Sequence, residues 1–240
     1  MSAALAACHE PLDEVDGAFY DGDHRLVHCA VDLDNKANSR VVNLEDALDR
    51  AVERGEVIEL FAHNPGHTVA VEKIAYVLEA AAARHLAFVT YADFARGDAP
   101  APGIALSFDD TSVDAWVALR PLFQQYQARI TFFVSRYQAL GKAAHAGLKL
   151  LAADGHDIEA HSVLHLRAPD YVEQHGLAAY LHDEVEPSIA VLRADGYEVH
   201  AFAYPFGART GELDEAIARR VPVLRSVSFS YDLVQSPCPR

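Results

Sequence analysis

Asp109-Asp110, the pair His161 and His165, His63 and the string Tyr204-Pro205-Phe206-Gly207 are the residues of this chain best equipped for chemistry. Two imidazoles and one carboxylate can hold a divalent cation and leave positions open for water and substrate, the arrangement of a catalytic zinc site. A second carboxylate beside that set suits hydrolysis, one aspartate binding the metal while the other reaches a bound water. Neighbouring residues of a strand point to opposite faces, so Asp109 and Asp110 work together only if the strand has already turned. His161 and His165, four apart, present both rings on one face if Ser162 opens a helical turn. Taken singly, each feature has a plain explanation: a solvated turn, a chance pair among 13 histidines, an ordinary strand exit. Their order and their shared position, each just after a short apolar run, argue for one site.

The apolar runs must be the strands that bring these groups together. Candidates are 25–31, 57–61, 86–90, 104–108, 130–134, 157–160, 198–203 and 223–227. Helical periodicity lies between them. Asn43 caps a run from Leu44 that stops at Gly55, and Thr68 caps another whose inner face carries Val71, Ile74 and Leu78. Further helices are expected over 114–127 with a kink at Pro121, 142–153, 171–194 and 212–220, whereas 1–23 read as an irregular lead-in. Eight strands alternating with helices predict an α/β fold with a parallel sheet closed, or nearly closed, into a barrel. In such a barrel the groups at the carboxyl ends of the strands surround one mouth.

The chain of 240 residues is 51% hydrophobic and has no linker or low-complexity segment, so one domain over 1–240 is expected. Its 35 acidic and 20 basic side chains give a net charge of −15, which repels nucleic acid and anionic lipid. No apolar stretch reaches the ~20 residues of a membrane span. Leu5-Ala6-Ala7-Cys8 has the small-residue pattern of a lipoprotein cleavage site, without the basic region that precedes a working signal. Three cysteines, Cys8, Cys29 and Cys238, have no metal-ligand spacing; a Cys8–Cys238 bridge between the tails is one conceivable pairing.

The motifs resemble those of the NodB-homology polysaccharide deacetylases, carbohydrate esterase family 4. Ser107-Phe108-Asp109-Asp110 is similar to that family's first motif, His161 to His165 to its second and Tyr204-Pro205-Phe206-Gly207 to its third; Ile130-Thr131-Phe132-Phe133-Val134 is similar to the strand after the first. The resemblance implies a distorted (β/α) barrel of seven to eight parallel strands. It implies Asp109 as general base, Asp110, His161 and His165 as ligands of a divalent metal, most simply Zn2+, and the backbone N–H of Phe206 as oxyanion donor. The activity implied is removal of N-acetyl groups from an amino-sugar polymer or oligosaccharide. An O-acetyl esterase acting on acetylxylan, a small cyclic amide hydrolase and a non-catalytic glycan-binding protein are the alternatives. An acetylated glycan is then the partner, and an exported or envelope location is implied by resemblance.

Two departures matter. The family's Leu-x-x-His motif, which carries the histidine general acid near its C-terminus, is matched only by Leu60-Phe61-Ala62-His63. This implies a circular permutation, with residues 19–97 equivalent to the family's C-terminal part and 100–230 to its N-terminal part, and with His63 as the acid. The third motif's arginine, two before its proline, is replaced by Ala203, so Arg225, Arg167 or Arg209 must orient the base; Arg225, at the end of the next strand, is the favoured one. Asp32 or Asp34 would orient His63, and Trp116 is expected to pack rather than bind sugar.

Overall fold

A computed structural model describes residues 12–34, 43–228 and 238. Its strands are β1 (Phe19–Tyr20), β2 (Val27–Asp32), β3 (Val57–Ala62), β4 (Ala87–Phe88), β5 (Gly103–Asp110), β6 (Thr131–Val134), β7 (Asp157–Ala160), β8 (Ala201–Ala203) and β9 (Val223–Val227). Seven of them close a parallel barrel in the order β3-β2-β9-β8-β7-β6-β5, and pairing of β5 with β3 completes the ring. β4 adds to β5 in parallel, and β1 adds to β3 antiparallel. The barrel strands are buried on both faces, which is why they read as continuous apolar runs rather than as alternations.

Helices cover the outside. The earlier ones are α1 (Leu44–Arg54), α2 (Val71–Ala83), α3 (Tyr91–Arg96), α4 (Val113–Ala118), α5 (Arg120–Gln125) and α6 (Lys142–Ala153). The later ones are α7 (Ala168–His175), α8 (Leu177–Tyr180), α9 (Glu186–Ala194) and α10 (Gly211–Ile217). Leu48, Ile74, Leu78, Trp116, Leu148 and Leu192 seal this layer against Ile58, Leu60, Phe108 and Phe132 of the strands. Inside the ring, Val57, Ala105, Phe133, Ala201, Ala203 and Val223 pack with Tyr91 and Phe94. A polar trio sits among them: Glu59 is fully buried and accepts from His28 Nδ1 at 2.9 Å and from the Tyr91 hydroxyl at 2.7 Å.

Several local expectations change. Asn43 does cap α1, and Gly55 ends it at φ +67°. Thr68, however, is not the cap of α2; its hydroxyl donates to Asp34 and accepts from the Asn64 N–H, because the loop before the helix has more orphan groups to satisfy than the helix end. The expected helix over 114–127 is two helices that meet at Leu119, with Pro121 in the first turn of the second. The one expected over 171–194 starts earlier, breaks at Gly176 (φ +87°) and carries a π turn at Leu181–Val185. The lead-in is partly ordered as a 3₁₀ segment, Leu12–Ala18, and β1. Cys238 is bonded to Cys29 on β2, which rules out its pairing with Cys8; Cys8 and the segment around it lie outside the described residues.

Candidate active site

The mouth at the carboxyl ends of β2, β3, β5, β7, β8 and β9 gathers the candidate residues. Asp110 ends β5 with a φ of +83°, and this left-handed turn answers the alternation problem: the strand has turned, so both carboxylates reach the same side. His161 Nε2 lies 4.0 Å from Asp109 Oδ2 and 3.7 Å from Asp110 Oδ1, while His165 Nε2 lies 3.2 Å from Asp110 Oδ1. The helical turn expected at Ser162 does not form. Ser162 and His165 have φ of +65° and +62°, and the Ser162 hydroxyl accepts the His165 N–H at 2.9 Å, so a tight loop rather than a helix brings the two rings to 4.8 Å.

These donor atoms fit a metal. Separations of 3.2 and 3.7 Å are those of ligands about 2.0–2.2 Å from one cation. His161 Nδ1 lies 2.9 Å from the Ala203 carbonyl, which can only accept, so the proton sits on Nδ1 and the Nε2 lone pair faces Asp110. Burial, with His165 adding to it, holds His161 well below the usual imidazole range. His165 is lowered as well, by burial opposed by Asp110, the direction that favours the neutral rings ligation requires. Two further groups of potential ligands occur among the described residues: Asp32, Asp34 and His63 at the same mouth, and Asp157, Glu159 and His200 where β7 and β8 begin.

Asp109 is only 2% exposed. Its Oδ2 is paired with the Arg225 guanidinium, which is itself fully buried between the rings of Phe61 and Phe133 at 4.8 and 5.0 Å. Arg225 is register partner to Ala203 on the adjacent strand. Of the other two candidate arginines, Arg167 pairs with Asp170 and Arg209 with Asp214. Asp109 Oδ1 is buried without a hydrogen-bond partner among the described residues.

His63 follows β3, whose Ala62 is in register with Phe108, and so stands beside the Asp109 strand end. Its Nδ1 is 2.6 Å from Asp34 Oδ2, and its backbone N–H donates to Asp34 Oδ1. Asp34, 1% exposed, is therefore the aspartate that orients this ring, with Asp32 accepting the Asp34 N–H. Trp116 is fully buried, stacks toward Phe132, and its indole N–H holds the His63 carbonyl at 3.0 Å; its part in placing His63 has no signal in the sequence. Phe206 sits in a left-handed turn (φ +60°) with its ring 54% exposed and 4.7 Å from the His165 ring. Gly207 closes that turn at φ +66°, where a Cβ would stand 2.4 Å from Val227 Cγ2, so the turn packs backbone against β9.

Two histidines facing Asp110 and a buried Asp109 paired with Arg225 at one mouth invite comparison with known hydrolases. Residues 96–221, over half of the chain, match the model of the polysaccharide deacetylase family. The chain belongs to this family. As a polysaccharide deacetylase it falls among hydrolases that act on acetylated glycans; the match starts after His63 and stops before Arg225, so both lie outside it. IcaB from Ammonifex degensii shares the fold at TM-score 0.58 and 18% identity, over 74% of this chain and 93% of that one. The BpsB deacetylase domain from Bordetella bronchiseptica matches at TM-score 0.53 and 14% identity, over 88% of this chain and 96% of that one. The polysaccharide deacetylase BC0361 from Bacillus cereus matches at 0.53 and 13%, over 71% and 56%. No curated protein matches the sequence.

Proposed function

We propose that this polysaccharide deacetylase removes N-acetyl groups from an amino-sugar polymer or oligosaccharide, using a divalent metal held by Asp110, His161 and His165. The convergence of these three donor sets beside an arginine-held aspartate carries the reading. A bound Zn2+ would lower the pKa of a water and polarise the acetyl carbonyl. Asp109 accepts the proton of that water through Oδ1, while Arg225 fixes Oδ2 and keeps the carboxylate aimed. The Phe206 backbone N–H donates to the oxyanion as it forms. His63, its Nδ1 proton committed to Asp34, hands a proton from Nε2 to the departing amine, so that acetate and a free amino sugar result. The Asp34 carboxylate favours the cationic ring that carries both protons before the transfer and keeps the neutral Nδ1–H ring in place after it.

A permuted strand order goes with this reading. The family match begins only at residue 96, yet β3 pairs with β5 along six residues and brings the Leu60–His63 segment to the mouth. Residues 19–97 would then supply the strands that in relatives close the barrel from the C-terminal side. An exported or envelope location is supported by the Cys29–Cys238 bond, since disulfides persist in oxidising compartments.

The test is acetate release by zinc-loaded and metal-stripped protein from N-acetylglucosamine oligomers, peptidoglycan and acetylxylan. Metal-dependent release from an N-acetylated substrate is expected. Release from acetylxylan alone would make the protein an esterase, and release from none, with metal bound, would leave a small-amide hydrolase or a glycan-binding protein.

A further inference from the structure

The loop that carries His165 is strained, and something outside it must hold it. Ser162 and His165 both have left-handed φ, which costs a non-glycine residue about 1–2 kcal/mol each. Two of the loop's amides have visible anchors: the His165 N–H goes to Ser162 Oγ, and the Leu164 N–H, one residue before the ligand, goes to Glu184 Oε2 at 2.9 Å. Leu164 itself is 55% exposed, so its side chain does not fasten the loop to the core.

Glu184 is an unusual anchor. It is 1% exposed, and among the described residues it has neither a basic side chain in salt-bridge contact nor a hydrogen bond other than that from Leu164. The buried Tyr180 hydroxyl, one helical turn before it, is left without a hydrogen-bond partner among the described residues. Burying a carboxylate is expensive unless its acceptor capacity is used where position matters. Glu184 lies within a π turn, Leu181–Val185, and such one-turn insertions in helices often stand at functional sites. From the opposite side Arg136 helps: its N–H bonds the Ser162 carbonyl at 3.3 Å and its guanidinium the Leu164 carbonyl at 3.3 Å. The preceding Ser135 N–H bonds the Asp110 carbonyl at 3.2 Å, so one turn after β6 stitches together the two segments that bear ligands.

We propose that Glu184 is a positioning residue for the metal site, acting through the Leu164 amide to hold His165 at ligating distance from the Asp110 partner. It touches neither metal nor substrate. The proposal rests on the metal reading above for its functional weight, and on the hydrogen bond alone for its structural content.

Two substitutions separate reach from charge. Glu184→Asp keeps the charge and withdraws the oxygen; Glu184→Gln removes the charge and keeps an acceptor at the same reach. Each is compared with the unaltered protein in cobalt titration followed by visible spectroscopy, in hydrogen exchange of the 162–167 peptide without metal, and in Tm. Positioning predicts that Glu184→Asp loses cobalt affinity on the order of tenfold, changes the cobalt spectrum and exchanges faster at 162–167. Glu184→Gln should stay within a few-fold of the unaltered protein in all three. The reverse order, or two variants indistinguishable from the parent in exchange and cobalt binding, overturns the proposal. If the parent itself takes up no cobalt while Glu184→Asp still exchanges faster, the metal reading fails and the anchoring role stands.

Discussion

Asp109 and Asp110 are adjacent in sequence and differ in every physical respect that bears on their roles. Asp110 is over a third exposed and open to two imidazoles; Asp109 is buried and tied at one oxygen to Arg225. A ligand needs access to a cation, whereas a base needs one open oxygen and a fixed direction, and the turn at Asp110 leaves the two carboxylates in environments that suit the proposed roles. The division makes a direct prediction. Asp109→Asn should retain zinc at the stoichiometry of the parent protein and lose about 10²- to 10⁴-fold in turnover, the usual contribution of a placed general base. Parallel metal analysis and acetate assays check it; near-parent turnover would remove Asp109 from the base role. Arg225 reaches Asp109 from β9, and because Ala203 and Arg225 are register partners, its guanidinium enters the barrel at the level of Ala203.

At the scale of elements, the site is made by what lies just past each strand. Strand ends that present Asp110, His161 and Phe206 all leave the sheet through left-handed residues at or next to these positions, and neighbouring elements hold those exits: the turn after β6, the π turn, and Val227 of β9 beneath Gly207. The entry to β7 has a different liability. His156 is 7% exposed, receives the Ile130 N–H on Nδ1 at 3.2 Å, and lies edge-on to Phe123 and Phe132. Burial pushes its pKa down from 6.5 to about 4. The unfolded chain therefore takes up the proton first. The stabilisation from the neutral ring is complete above pH 6.5 and is lost as pH falls toward 4, an effect of about 3 kcal/mol. Tm should drop across that interval, and His156→Gln, which keeps an acceptor for Ile130, should flatten the drop. Equal slopes in the two proteins would show that His156 is not its source.

For the whole molecule, closure is the decisive property. The β3–β5 pairing joins the first third of the chain to the middle, so that a histidine at position 63 stands beside an aspartate at position 109. The Cys29–Cys238 bond ties the far end of the chain back to β2 across a sequence separation of 209. Reducing it should lower stability by about 2–4 kcal/mol, seen as a lower Tm with dithiothreitol than without; an unchanged Tm would mean the bond constrains nothing that unfolds. Much of this was legible beforehand. Strand-sized apolar runs and Gly55 as a helix stop predicted a parallel barrel, and the residue types at strand ends pointed to Asp109, Asp110, His161, His165 and His63 as candidates, because side-chain period and donor chemistry are local properties of a chain. Arg225 came from the family resemblance. Helix breaks at Leu119 and Gly176, the non-helical His161–His165 loop, the Cys29 partner, the choice of Asp34 over Asp32 and the anchoring parts of Trp116 and Glu184 were decided only by the tertiary structure. Each of these depends on which orphan N–H, carbonyl or carboxylate is brought near from a distant segment, and burial leaves such groups no option but to pair with what the fold places beside them.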